Sequence, residues 1–242
     1  MTDILLAGES WVTVQLEIKG RNVIRDSEYG EAADRYVELL EELGASVTYQ
    51  PCHVAAKSFP RTREELDAYD LVVLSDIGAD TLQITERVAA GDTDADRCAL
   101  LAEWVREGGA LGMVGGYMSF AGKGGQARYD STPIADVLPV EVSSGDDRVE
   151  KPAGAVPQNA GVPDADLPEE WPHVLGYNRF AAKPEAEVWA TVDDDPFLVV
   201  GDTGDGSAFA YATDCAPHWA PEALLDWEHL PTVWERVVDR VT

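Results

Sequence analysis

The chain is short of positive charge, of sulfur and of long apolar runs, and each shortage excludes something. Only 18 Lys and Arg face 45 Asp and Glu, which leaves a formal net charge of −27 over 242 residues. Just five of the cations are lysines: Lys19, Lys57, Lys123, Lys151 and Lys183. Phosphate backbones are held by clustered Lys and Arg, and no basic stripe runs through this sequence, so nucleic acid is excluded as a partner. The three cysteines, Cys52, Cys98 and Cys215, are odd in number and lack CxxC spacing. Neither a disulfide framework nor a zinc knuckle is therefore expected. No stretch approaches the roughly 20 apolar residues that span a bilayer, so no membrane partner is expected. Met1-Thr-Asp has no basic n-region, and the apolar run Ile4–Ala7 is too short for a secretory signal. The expected location is the cytoplasm.

What is present is an ordinary core inside an unusual surface. Hydrophobic residues make up 45% of the chain, with seven Trp, eight Tyr and five Phe. A chain of this length can bury roughly 70% of its unfolded surface and fits one large α/β domain. An acidic, lysine-poor surface over such a core is the pattern of a protein working in very high salt. The Debye length shrinks there to about 3 Å at 1 M, so self-repulsion stops being a penalty. A halophilic source is the expectation, and an acidic cytosolic protein the alternative.

Along the chain, short apolar runs alternate with helical periodicity. Asp3–Ala7, Ser46–Tyr49, Leu71–Ser75 and Ala110–Val114 read as strands. A helix is expected after Ser27 as N-cap, with Tyr36, Val37, Leu39, Leu40 and Leu43 on its apolar face and Gly44 as its stop. Thr62 and Glu65 form a capping box for a short helix. Residues 96–107 carry Leu100, Leu101, Trp104 and Val105 at helical spacing before Gly108-Gly109. Five prolines punctuate residues 141–172, which read as a surface excursion within one domain spanning 1–242; a linker between two domains is the alternative. Val188–Val192, Phe197–Val200 and Ser207–Thr213 read as late strands, and 222–241 as helix broken near Pro231. This alternation predicts a parallel sheet covered on both faces, with ligands bound outside the carboxyl ends of its strands.

Four constellations carry possible chemistry. Gly115-Gly116-Tyr117-Met118-Ser119-Phe120 follows a strand and is either a nucleophile elbow with free backbone N–H groups or a plain glycine turn. Thr213-Asp214-Cys215-Ala216-Pro217-His218-Trp219 offers a nucleophile, a base and an orienting acid, with Glu222 one helical turn beyond His218; a packed aromatic cluster is the bland reading. Gly8-Glu9-Ser10-Trp11 lies after the first strand, where loops line ligand crevices, yet Glu9 is equally a solvated acid. Gly176-Tyr177-Asn178-Arg179 with Lys183 either holds an anion or salt-bridges to neighbouring acids.

Together with Ser75-Asp76-Ile77-Gly78-Ala79 and Leu138-Pro139-Val140, these segments resemble the family labelled "putative glutamine amidotransferase", from about Leu5 to Trp234. The resemblance implies the class I glutamine amidotransferase-like superfamily: a flavodoxin-like three-layer α/β/α sandwich with a mostly parallel central sheet. Members of that superfamily use a Cys at the elbow with a His and a Glu near the C-terminus to release ammonia from glutamine, and they are often homo-oligomers. This chain departs from the pattern at the elbow. Where the superfamily has Gly-x-Cys-x-Gly, it has Gly115-Gly116-Tyr117-Met118-Ser119, and His218 stands four residues from Glu222 instead of two.

The expectation is therefore a small-molecule hydrolase or lyase without the usual cysteine. His218 would be the acid or base, oriented by Asp214 or Glu222, and the candidate nucleophiles are Cys215, Ser119 and Tyr117. The oxyanion would lie on the backbone at Gly115, Gly116 and Tyr117. Glu9, Ser10, Trp11, Asp76, Gly78, Asn178, Arg179 and Trp219 would line the substrate site. The alternative is a non-catalytic ligand-binding or assembly protein on the same fold. A metal site from His218, Asp214 and Asp76 has suitable residue types, but nothing in the sequence joins them, and neither metal nor cofactor is expected.

Overall fold

Unbroken apolar runs become strands covered on both faces. β1 (Asp3–Gly8), β5 (Leu71–Ser75) and β6 (Ala110–Val114) are buried almost throughout. The computed structural model describes all residues, Met1–Thr242. Between β1 and β6 lie β2 (Ser10–Lys19), β3 (Asn22–Glu31), α1 (Asp34–Glu42), β4 (Ser46–Pro51), α2 (Cys52–Ser58), α3 (Arg63–Leu66), α4 (Ala79–Gln83), α5 (Glu86–Ala89) and α6 (Arg97–Arg106). After β6 come α7 (Ile134–Val137), β7 (Val140–Glu141), β8 (Arg148–Ala155), β9 (Gln158–Asn159), β10 (Val174–Asn178) and β11 (Ala181–Ala182). The chain finishes with β12 (Glu187–Val192), β13 (Asp195–Thr203), β14 (Gly206–Tyr211), α8 (Glu222–Leu225) and α9 (Leu230–Val241).

The central sheet has eight strands in the order β4-β1-β5-β6-β14-β13-β12-β9. The first five are mutually parallel, and β13, β12 and β9 add on antiparallel. Helices α1 and α2 pack on β4, α6 on β14, and α9 on β13 and β14. This is the flavodoxin-like α/β/α arrangement. The chain leaves β1 for β4 on one side and returns to β5 on the other, so the strand order reverses at β1. Such switch points open a crevice at the carboxyl ends of the strands.

Local signals account for several helix starts. Thr62 Oγ1 accepts the Glu65 N–H at 3.3 Å, and the Asp96 carboxylate accepts from Cys98 and Ala99. Pro231 sits in the first turn of α9, where a missing N–H costs nothing. The expected helix start at Ser27 is wrong. Residues 27–31 belong to β3, and α1 begins at Asp34. β2 and β3 form a hairpin that joins no other strand. The proline-punctuated stretch contributes β8, paired with β10, and β9 at the sheet edge, and it sends Val162 and Trp171 into the core.

One buried cation fastens two helix ends. Arg97 is fully buried, and its guanidinium donates to the carbonyls of Ala55 and Ala56 in α2 and of Thr81 and Leu82 in α4. These are late carbonyls of short helices, where helical partners run out; only Ala55 also accepts a backbone N–H, from Phe59. The planar fork reaches four acceptors at once and a compact ammonium cannot. Arg97→Lys is expected to lower stability by about 2 kcal/mol, read as a lower urea midpoint at unchanged slope.

Candidate functional site

Two acids sit at the switch point in a backbone conformation that L-residues rarely adopt. Glu9 follows β1 with φ 45°, and Asp76 follows β5 with φ 44°. Non-glycine residues held in the left-handed region cost of order 1 kcal/mol or more and cluster at functional sites. Gly8 makes the first turn possible: at φ +127° a Cβ there would lie 1.6 Å from the Ser75 carbonyl oxygen. The Glu9 N–H donates to that same oxygen at 3.0 Å, tying the ends of β1 and β5 together.

The bend after β6 is held from beneath by a buried polar network. The Gly116 N–H donates to Asn178 Oδ1 at 2.9 Å. Asn178 Nδ2 donates to Asp147 at 2.8 Å, and Asp147 also accepts from the Ala121 and Gly122 N–H groups at 2.9 Å each. Ser119 Oγ accepts the Asp76 N–H at 3.0 Å. From the other side, the Asp76 carboxylate accepts the Met118 N–H at 2.6 Å and draws on the Tyr117 N–H. Two of the amides expected to hold an oxyanion are thus engaged: Gly115 by the Tyr211 and Thr213 carbonyls and Gly116 by Asn178, while the Tyr117 N–H lies near the Asp76 carboxylate.

These turns surround a cleft of about 700 Å³, lined among others by Glu9, Asp76, Asp214, Tyr117, Lys123 and His218. The His218 ring meets Tyr117 edge-on at 4.6 Å and stacks on Trp219 at 5.7 Å. Tyr117 is itself flanked by the Lys123 ammonium at 4.6 Å and the Arg148 guanidinium at 5.3 Å. Glu150 accepts from both the Tyr117 hydroxyl at 3.0 Å and Trp219 Nε1 at 3.2 Å, bracing the aromatic wall. Gly176 lets the Trp219 indole lie against β10, since a Cβ there would be 2.2 Å from Nε1. Trp11 closes the opposite wall, its indole lying over Gly30.

The floor of the cleft is acidic and buried. Glu9 accepts the Ser75 hydroxyl at 2.5 Å, and Ser75 Oγ lies 3.6 Å from Cys215 Sγ. Burial, and then the Asp76 charge, push the Glu9 carboxyl up to about 7. Asp214 is raised well above the usual carboxylate range by burial, Glu9 and Asp76, although its carboxylate accepts the Ala216 N–H. Asp76 is raised by burial, which its backbone donors and the nearby His218 oppose. Burial followed by Glu9 and Asp214 drives the Cys215 thiol well up as well. Glu9, Asp214 and Cys215 bring their ligand atoms within 4.8 Å of one another. An ion held there would have to compete with protons, whose affinity burial raises at all three groups.

The structure brings together Glu9, Trp11, Asp76, Tyr117, Asp214 and His218, with Cys215 just beneath. Other expected site residues lie elsewhere. Arg179 pairs with Asp195 at 2.7 Å outside the cleft, and Lys183 donates to the Ala135 and Asp136 carbonyls. Glu222 opens α8 beyond Pro221 and is exposed, because the 217–220 turn does not continue as helix from His218. Ser10 Oγ accepts the Cys52 N–H on the outer side of the hairpin base. Gly78 packs on Met118, and Ser119, Asn178 and Trp219 are buried supports. The His218 imidazole makes no hydrogen bond to Tyr117, Ser119 or Cys215, so no nucleophile–base pair is assembled. Glu150, Asp147, Lys123 and Gln126 went unrecognised in the sequence; Lys123 alone had a signal, as a rare cation inside a glycine loop.

Comparison with known proteins places the whole chain. The family model described as "Putative glutamine amidotransferase" matches residues 3–242. No curated protein matches the chain. The cytoplasmic protein STM1381 from Salmonella typhimurium LT2 is 39% identical, with a TM-score of 0.94 over 99% of each chain. The cytoplasmic protein STM3548 from Salmonella typhimurium is 33% identical, with a TM-score of 0.93 over 100% of this chain and 99% of that one. A ThuA-like protein from Parabacteroides merdae, at 11% identity and a TM-score of 0.53, shares the fold alone. No helix is long and apolar enough to cross a membrane.

Proposed function

Since the chain belongs to the family described as "putative glutamine amidotransferase", we propose that its cleft binds a small molecule and transfers protons to and from it, as a hydrolase or lyase that forms no thioester. The observation that carries this reading is the state of Glu9: a buried carboxyl facing the cleft, held up to about 7. A group with that affinity is half-protonated near neutrality and serves as acid or base with little driving force lost. Thioester chemistry is disfavoured on two counts. The one thiol at the cleft floor is kept protonated between two acids, and the Gly115 and Gly116 amides that would stabilise an oxyanion are already engaged.

The roles follow from position. Glu9 moves the proton, and the Ser75 hydroxyl orients its carboxyl. Burial, and then the charge of Asp76, favour the protonated form of Glu9. His218, at the exposed rim against Tyr117, is the second acid–base group. Lys123 attracts the anionic part of a ligand into an otherwise negative cleft, and Trp11 and Tyr117 flank it. The protein is read as cytoplasmic, as the two Salmonella proteins are described.

Incubation with glutamine is expected to release no ammonia above the uncatalysed rate. Thermal-shift screening of metabolites in molar salt, followed by NMR of each hit, should then find turnover. Glu9→Gln is expected to lower kcat by about 100-fold or more while ligand affinity holds within a few-fold. Full turnover by this variant would sink the acid–base assignment. Wild-type binding without turnover would favour the non-catalytic reading, which the occupied amides also support.

A further inference from the structure

The β2–β3 ribbon carries an apolar face that the rest of the chain leaves bare. Residues 12–19, Val-Thr-Val-Gln-Leu-Glu-Ile-Lys, alternate strictly, which is the pattern of a strand buried on one side. The pairing register places Val12 opposite Tyr29, Val14 opposite Ser27, Leu16 opposite Arg25 and Ile18 opposite Val23. These pairs share one face. Thr13, Gln15, Glu17 and Lys19 lie on the other with Glu28, Asp26, Ile24 and Asn22. Yet the six apolar side chains of the first face are 45% (Tyr29) to 74% (Ile18) exposed, and the ribbon packs on the body at its base, chiefly against α2.

We propose that this ribbon is an assembly arm whose apolar face packs against the same face of a second copy of the chain across a two-fold axis. A lone two-stranded hairpin is marginal in water, so ten paired residues per strand standing free call for a partner surface. The exposed fractions correspond to an apolar patch on the order of 500 Å², at the upper end of what monomers leave open. Pairing two such patches removes roughly 1,000 Å² from water, the lower bound of a specific interface. Charge selects the occupant. The chain carries −27 overall, but Ser10–Glu31 holds Lys19, Arg21 and Arg25 against four acids, and the apolar face carries Arg25 with Glu31 of opposite sign at its base. Two copies can meet at this nearly balanced ribbon while their acidic bodies stay apart. An anionic membrane surface would instead face the whole acidic chain. A self-complementary face closes as a dimer rather than a filament.

The arm also reaches the cleft. Trp11, at the ribbon base on the face opposite to Val12, is a cleft wall and is 47% exposed. Docking the ribbon would fix that wall.

Light scattering on the full chain, at roughly 0.15 M and 1 M salt, tests the proposal. The wild type is expected at twice the mass of one chain or a multiple of it. The triple variant Val14→Glu/Leu16→Glu/Ile18→Glu is expected at the mass of one chain with an unchanged far-UV CD spectrum. Should that variant fail to fold, the single variant Val14→Cys decides: it is expected to form an intermolecular disulfide under mild oxidation, and Thr13→Cys on the polar face is not. A wild type of single-chain mass at both salts overturns the proposal. So does an oligomer that survives the triple variant, or equal cross-linking at positions 13 and 14.

Discussion

Between about pH 5 and pH 8 the chain is expected to lose up to about 3 kcal/mol of folding stability through Glu9, and Glu9→Gln is expected to remove that loss. The sign follows from where the proton is held. The native carboxyl titrates near 7, above the usual glutamate value of 4.5. The folded state therefore binds the proton more tightly than the unfolded chain. This contribution is fully present below the unfolded pKa and fades as pH rises through the folded one. Its cause is the enclosed position beside Asp76, where ionisation would bury an unpaired charge. Asp214, shifted the same way, adds a slope of the same sign. The comparison is best run in about 1 M salt, where the general repulsion of an acidic surface is screened. Chemical unfolding of wild type and Glu9→Gln at several pH values checks it. Parallel curves for the two proteins would show that Glu9 ionises freely in the native state.

Asp147→Ala is expected to cost about 3–5 kcal/mol, the largest loss of any single polar truncation near the cleft. Asp147 is 5% exposed and accepts from Ala121, Gly122 and Asn178. Its removal orphans three buried donors at once. The damage should also travel, because Asn178 then loses the contact that orients its oxygen toward the Gly116 N–H. Asp147→Asn keeps the volume but turns an amide toward a donor, so an intermediate loss is expected. The readout is the denaturant midpoint together with backbone amide exchange at residues 116–122. Protection there should fall in Asp147→Ala even under conditions where the sheet stays closed. A loss below about 1 kcal/mol would mean that water replaces the carboxylate without strain.

The sheet was legible because buried parallel strands are written as apolar blocks. Leu71–Ser75 and Ala110–Val114 have the boundaries that the residue pattern implies. The switch-point acids Glu9 and Asp76 could be picked out by their place after a strand, although no sequence signal reveals their left-handed backbone. What failed was of two kinds. The hairpin carries a clear period of two from Val12 to Lys19, but Ser27, a residue type that caps helices, predicts a helix start where β3 in fact continues. Asp147 and Glu150 were hidden for a different reason. In a chain with 45 acidic residues, neither the buried Asp147 nor the exposed Glu150 stands out from the other acids until the fold brings distant donors to it. Arg179 illustrates the converse, since scarcity made a surface ion-pair partner look functional.

The two acids in left-handed turns also limit how durable this scaffold can become. Glycine at either place would relieve the backbone at no steric cost, so selection for heat tolerance alone would tend to erase them. Keeping Glu9 and Asp76 means accepting a softer rim around the cleft. Any effort to harden the protein should therefore work on the distant edge at β12 and β9 and leave the ends of β1 and β5 as they are.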